Sequence, residues 1–137
     1  MEENEKNSQN ELMIKFSIFE QQIRQIQQQL EVIERNIIEM GSLVMGLDEF
    51  RGGEGKEILS QIGKNIFVRT KLLSEELIVD IGSGNFVRKD IESTKKLIGE
   101  QTRKLEKVRD DLNSALENIN QEMTRLVIEA QDKGDNK

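Results

Sequence analysis

The chain has 137 residues, of which 34% are charged, 35% hydrophobic and 4% aromatic, and its formal net charge is −6. It contains no Pro, Cys, His, Trp or Tyr. Disulfides, the usual zinc sites and Cys or His nucleophiles are therefore excluded. A compact globule is about 45–50% apolar when Gly is counted, and this chain stays below the middle of that range even with its 10 Gly, so it is expected to lack a single large core.

Charge and hydropathy also limit the partners. The acidic balance argues against general binding of nucleic acid, which needs a basic face. No apolar run approaches the roughly 18–20 residues that cross a bilayer, and the polar first ten residues are unlike a signal peptide. We expect a soluble protein without membrane association, and the lack of Cys is compatible with the cytoplasm.

A heptad repeat of apolar residues runs through the first third of the chain. The spacing alternates between four and three residues without a break, which is typical of a left-handed coiled coil. We expect a disordered N-terminus over residues 1–10 and a coiled-coil helix over residues 11–51, with a capping-box pattern near Ser8 and glycines after the end. The seam consists of Leu12, Phe16, Phe19, Ile23, Ile26, Leu30, Ile33, Ile37, Met40, Val44 and Leu47.

A second apolar stripe follows Asp90, a good helix N-cap, and predicts a coiled-coil helix over residues 90–132 before a disordered C-terminus, 133–137. The step from Val108 to Leu112 to Leu116 is four and then four, which predicts a local stutter in the supercoil. The stripe consists of Ile98, Leu105, Val108, Leu112, Leu116, Ile119, Met123, Leu126 and Ala130.

Two helices of equal length in one chain suggest an antiparallel hairpin in which residue i lies near residue 140 − i. Leu12 would then face Ile128, and Leu47 would face Ser93. Parallel pairing between two chains is the alternative, although the segment between the helices is too structured to be a mere hinge.

The segment between the helices, residues 56–89, changes from a period of 3.5 to a period of two and predicts four short strands in two β-hairpins. So few residues cannot bury a core of their own, and open sheet edges seek partners. We therefore expect a fold of class α+β, a long antiparallel coiled-coil helical hairpin whose two small β-hairpins form an oligomeric β-barrel. The expected assembly residues are Ile58, Ile62, Ile66, Val68, Leu72, Val79, Ile81 and Phe86.

Catalytic motifs are not found. Gly55-Lys56 and Gly63-Lys64 both lack the first Gly and the final Ser or Thr of a nucleotide-binding Walker A loop. Gly82-Ser83-Gly84 is typical of a hairpin turn. Carboxylate pairs such as Glu75-Glu76 and Asp110-Asp111 are predicted on solvated surfaces. We expect no enzyme activity, no cofactor and no metal.

Apolar residues off the seam are enriched near the start of the first helix, and the antiparallel register places the end of the second helix beside them. They are interpreted either as ordinary scatter or contact with a neighbouring coiled coil, or as an apolar surface that adapts to varied partners. On the second interpretation, the contact residues are Leu12, Met13, Ile14, Phe16, Ile18, Phe19, Met123, Leu126, Val127 and Ile128.

Two segments resemble the hairpin signatures of α-type prefoldin subunits. The first is EILSQIG at residues 57–63, and the second is IVDIGSGNFV at residues 78–87. The family commonly has Pro where this chain has Gln61, so the archaeal α-type subunit proper and a divergent α-type paralogue both stay open.

The resemblance implies a cytoplasmic, ATP-independent holdase. Two α-type and four β-type prefoldin subunits would form a hexamer through a β-barrel. Its coiled-coil tips would bind non-native polypeptide clients and transfer them to a group II chaperonin. The alternative is a structural coiled-coil adaptor or spacer that oligomerises through its β-hairpins and binds one defined partner.

Overall fold

The structure, a computed structural model, describes residues 2–135 and has the predicted order of helix, strands and helix. The elements are α1 (Glu2–Asp48), β1 (Glu57–Gly63), β2 (Ile66–Lys71), β3 (Leu77–Asp80), β4 (Phe86–Lys89) and α2 (Ile91–Asp135). Two compact units are present. The first joins the chain up to Arg35 with the chain from Leu105 onward, and the second spans Asn36–Lys104.

The helices extend beyond the predicted bounds at the chain ends. Residues 2–10 are helical in the structure, which differs from the disorder predicted over residues 1–10, and Ser8 lies inside the helix without capping it. Acidic side chains near a helix N-terminus are stabilised by the helix dipole, and Glu5 lies in the second turn of α1. At the other end α2 continues to Asp135. Residues 1, 136 and 137 of the two predicted disordered termini lie outside the described residues.

The second unit holds the most buried cluster in the described chain. Leu47, Ile91 and Ile98 are only 6%, 5% and 5% exposed, respectively. The cluster joins the end of α1 to the start of α2, which requires the two helices to run antiparallel. The apolar residues packed against it are Met40, Val44, Phe50 and Leu77.

The start of α2 is capped as its sequence predicts. The Asp90 carboxylate accepts a hydrogen bond from the Ser93 backbone N–H at 2.7 Å, and the Asp90 carbonyl accepts one from the Thr94 N–H at 3.1 Å. The Thr94 hydroxyl donates to the same carbonyl at 2.8 Å. These bonds satisfy groups that a helix terminus leaves without partners, and they fix where the chain turns from β4 into α2.

Ion pairs between the helices give the register in each unit. In the first unit, Arg109 Nη1 lies 3.8 Å from Glu34 Oε1. In the second, Lys95 Nζ lies 2.9 Å from Asp48 Oδ1. Each pair joins residue i to residue 143 − i, which is within one helical turn of the predicted register.

The seam of α2 differs from the predicted one. Val108 is 45% exposed and Ala130 is also exposed, so neither belongs to the seam. Arg109 is half-buried instead of Val108, and Thr102 is half-buried between Ile98 and Leu105, where the predicted stripe had no residue. With these two polar residues the spacing alternates between four and three throughout, and the predicted stutter is wrong. The seam positions after Ile98, all half-buried, are Thr102, Leu105, Arg109, Leu112, Leu116, Ile119, Met123 and Leu126.

The four strands form two separate antiparallel pairs, β1 with β2 and β3 with β4. In the first pair, Ser60 opposes Val68, and a bulge lies between Gln61 and Gly63. In the second turn, Gly82 and Gly84 have φ angles of 135° and 76°, which favour glycine. Each hairpin has only two strands, and an isolated pair of strands is marginally stable in water.

Candidate functional site

Five exposed apolar side chains lie at one end of the first unit and are named here the end patch. Met13 and Ile14 are 67% and 60% exposed. The antiparallel register brings the start of α1 beside the end of α2, so side chains from both helices contribute. The end patch consists of Met13, Ile14, Ile18, Val127 and Ile128.

The structure divides the ten residues that the sequence suggested as a contact surface. Five form the end patch, where their apolar atoms are available to a partner without any rearrangement. The other five are half-buried in the seam, so they could meet a partner only if the two helices separated. These seam residues are Leu12, Phe16, Phe19, Met123 and Leu126.

The β-hairpins form a second apolar surface, in the second unit. Of the eight predicted assembly residues, Ile58, Leu72 and Val79 are half-buried. The other five are exposed on the hairpins. These are Ile62, Ile66, Val68, Ile81 and Phe86.

Sequence reasoning missed three hairpin residues with large exposed side chains: Leu59, Phe67 and Ile78. A period of two assigns only one face of a strand to an interface, and these residues lie on the opposite face. The missed signal was the apolar neighbours Ile66, Phe67 and Val68. Consecutive apolar residues in a strand indicate that both faces become covered.

The carboxylates that the sequence singled out stabilise local structure. Glu75 accepts a hydrogen bond from the Gly52 N–H, and Glu76 Oε1 lies 3.6 Å from Arg88 Nε. Asp110 Oδ1 lies 3.4 Å from Arg109 Nε. All of these side chains except that of Arg109 are exposed, so their environment is that of ordinary surface groups.

Two carboxyls at the junction of the helices have lowered pKa values. The hydrogen bond from Lys95 is the main cause of the lowered pKa of Asp48. Hydrogen bonds from Ser93 lower the pKa of Asp90. Both partners favour the charged carboxylate, so at neutral pH Asp48 links the end of α1 to α2 and Asp90 caps the start of α2.

The remaining features concern membranes and metals. Within residues 2–135, no helix is long and apolar enough to cross a membrane. The same residues contain no group of three His, Cys, Asp or Glu side chains that could hold a metal ion. The surfaces that stand out are therefore the two apolar ones, the end patch and the hairpins.

Two long helices joined by two β-hairpins define the fold of prefoldin subunits. The family model described as "Prefoldin subunit" matches residues 19–135. The chain belongs to the prefoldin family, whose members are chaperone subunits that form oligomeric assemblies. The match begins after Met13, Ile14 and Ile18, so that part of the end patch lies ahead of it.

Relatives support the same assignment at the level of the α-type subunit, and a solved structure supports the fold. The chain is 34% identical over 113 residues to prefoldin subunit alpha of Methanobrevibacter smithii, covering 82% of this chain and 75% of the relative. It is 25% identical over 118 residues to prefoldin subunit alpha of Thermofilum pendens, covering 82% and 92%. The cryo-EM structure of filamentous PFD from Methanocaldococcus jannaschii shares the fold, with a TM-score of 0.75, 20% identity and coverage of 84% and 97%.

Proposed function

We propose that this prefoldin subunit is an ATP-independent holdase of the cytoplasm that binds non-native polypeptides through its end patch and transfers them to a group II chaperonin. The exposure of the end patch is the observation that carries the proposal. Covering large apolar side chains that contact water lowers the free energy of the system. Non-native chains expose apolar groups that can cover them.

The affinity of one subunit for a client is expected to be weak. Fully burying an Ile or Met side chain contributes about 1.5–3 kcal/mol, and part of each side chain is already covered here. Ordering a flexible client opposes this gain. Several copies of the end patch in one assembly would raise the effective affinity without a new contact, which explains why holding clients requires oligomers.

The first experiment replaces Met13, Ile14, Ile18 and Ile128 with Ser in the assembled protein. Light scattering follows the aggregation of several unrelated unfolded proteins without ATP. We expect the variant to lose most of its suppression, because the apolar area is gone while the seam is unchanged. If the variant suppressed aggregation as well as the parent protein, the end patch would not be the client-binding surface.

The matched control replaces Ile38 and Met45, which are equally exposed on α1 but lie in the second unit, with Ser. We expect this control to suppress aggregation like the parent protein. Protection of one defined protein and no other by the parent protein would favour the structural adaptor instead.

The hairpins are proposed to assemble the subunit with β-type partners into a hexamer of two α-type and four β-type chains, through a shared β-barrel. The support is the exposed apolar surface on both faces of the hairpins, which neither two-stranded sheet can cover by itself. Barrel closure would also pair the free strand edges.

The test of assembly introduces a charge on each hairpin, Phe67→Asp and Ile78→Asp, in one chain. Native mass spectrometry with a β-type partner should show loss of the hexamer, because a buried unpaired carboxylate is costly. Ile38→Asp is the control and should keep it. An unaltered mass for the double variant would refute the barrel, and a large assembly without the partner would show that the chain assembles alone.

A further inference from the structure

A segment of the first unit is rich in side-chain amides and poor in charge; it is named here the amide belt. On α1 it covers residues 21–30, with six Gln and a single charged residue, Arg24. On α2 it covers residues 113–121, with three Asn, one Gln and a single charged residue, Glu117. The antiparallel register places these two segments opposite each other.

Low charge combined with many amides distinguishes this segment, because residues 36–47 are equally poor in charge but contain a single amide, Asn36. Charged residues make up 34% of the chain, but there are only two in the nineteen residues of the amide belt. Solvated faces of coiled coils are normally covered by Glu and Lys, which carry the ion pairs between helices. A face of amides cannot form these ion pairs, so its composition requires a different explanation.

Two open grooves lie along the amide belt, each with an apolar floor and amides on its walls. The first lies between the helices, where Gln25, Gln28 and Gln29 stand around the exposed Val32 and Val108. The second follows α2. Its lining includes Asn113, Leu116, Asn120, Gln121 and Ile128.

The groove amides have no partners within the protein. Across the described residues, the side chains of Gln25, Gln28, Gln29, Asn113, Asn120 and Gln121 form no hydrogen bond with another protein group, and all are exposed. Each offers two donors and one acceptor oxygen. A partner that covers these grooves must supply matching groups, because an amide buried without a hydrogen bond costs free energy.

We propose that the grooves of the amide belt bind the backbone of an extended non-native polypeptide through hydrogen bonds between the Gln and Asn side chains that line them and the client's peptide groups. A peptide group is itself an amide, with one donor and one acceptor, so the chemistry matches whatever the client's sequence is. An apolar helix would leave the groove amides without partners. Among the residues that line the grooves, a charged ligand would meet only Glu117 and Arg125, and Arg125 is already paired with Glu122 and Glu129.

The spacing of the amides fits an extended chain. Gln25 and Gln29 are one helical turn apart, which is about 6 Å along α1. In an extended chain, peptide groups that face the same side recur every two residues, or about 6.6 Å. Successive amides on α1 can therefore meet alternate peptide groups of one client strand.

The amide belt is continuous with the end patch. Ile128 belongs to the end patch and also lines the groove on α2. A client anchored by apolar side chains at the end patch can thus lay its following residues along the amides. This inference rests on the proposed holdase function and adds to it the class of ligand, an extended backbone.

The test compares two short unstructured peptides of identical sequence, one with alternate backbone nitrogens methylated. Methylation removes N–H donors and leaves the side chains unchanged. Fluorescence anisotropy measures the binding of both to the assembled full-length protein. We expect methylation to weaken binding about tenfold, or roughly 1.4 kcal/mol.

The matched variant replaces Gln25, Gln28 and Gln29 with Met, which has similar size and helix propensity but no amide. We expect it to bind the unmethylated peptide more weakly than the parent protein and to discriminate less between the two peptides. If the grooves worked only through apolar contact, Met would strengthen binding. The control changes Gln22 and Gln27, which do not line the groove, to Met and should behave like the parent protein.

Each result decides between the two proposals. Equal binding of both peptides, or stronger binding by the variant at residues 25, 28 and 29, would overturn the amide belt and leave the holdase intact. Absence of binding by the unmethylated peptide would overturn both.

Discussion

The Ile98 side chain in the second unit gives the strongest test of how the two helices are held together. It is 5% exposed and packs with Leu47 and Ile91. Ile98→Ala removes three carbon groups, each worth about 0.8 kcal/mol when buried, for a transfer loss of about 2.4 kcal/mol. The cavity left behind adds to this, so we expect the free energy of unfolding to fall by about 2.5–4 kcal/mol.

The matched control is Ile38→Ala, which removes the same atoms from a side chain that is 66% exposed. Only a third of the transfer loss applies there, or about 0.8 kcal/mol. Both are measured by urea unfolding followed by circular dichroism at one fixed protein concentration, since assembly shifts apparent stability. A loss below about 1 kcal/mol for Ile98→Ala, or equal losses for the two variants, would refute this account of the core.

Two further predictions concern the seam and the helix junction. By the same arithmetic, Val108→Ala removes two carbon groups from a side chain that is 45% exposed and should cost about 0.9 kcal/mol, whereas Leu112→Ala at the half-buried seam should cost about 1.5–2 kcal/mol in the same unfolding assay; the reverse order would show that the seam assignment is wrong. The pKa values of Asp48 and Asp90 are lowered in the folded chain from 3.8, so both carboxyls stabilise it above that pH, and this contribution should be lost as the pH falls below about 3.8. Asp48→Asn should flatten the dependence of the unfolding midpoint on pH in that range; an identical acid profile for the variant would contradict the ion pair with Lys95.

The apolar seam of α1 could be predicted completely from the sequence. All eleven predicted residues are half-buried or buried, because an unbroken heptad leaves a helix only one way to bury its apolar side chains. The strands were also predictable to within about two residues at their ends, since their turns contain Gly and Asn at positions with positive φ. The apolar excess that forms the end patch is likewise visible in the sequence.

The tertiary structure decided which residues of α2 face α1. From composition, Val108 is a better seam residue than Arg109. Yet a coiled-coil position is fixed by the helix opposite, and there the Arg109 guanidinium lies across from the Glu34 carboxylate. A hydrophobicity scale underestimates the tendency of Arg109 to occupy a seam position, because its long aliphatic stem can pack while its charged end stays near water.

The structure also separated exposed from half-buried residues within each predicted surface. Val79 and Ile78 are neighbours in β3, but only the burial of the strand shows that Ile78 is the more exposed. The sequence by itself determined the periods, and therefore the helices, the strands and the residues available for binding. Only packing against a partner element decided which of those residues are covered. Burial depends on the element that lies opposite a residue, and the local sequence pattern does not specify that element.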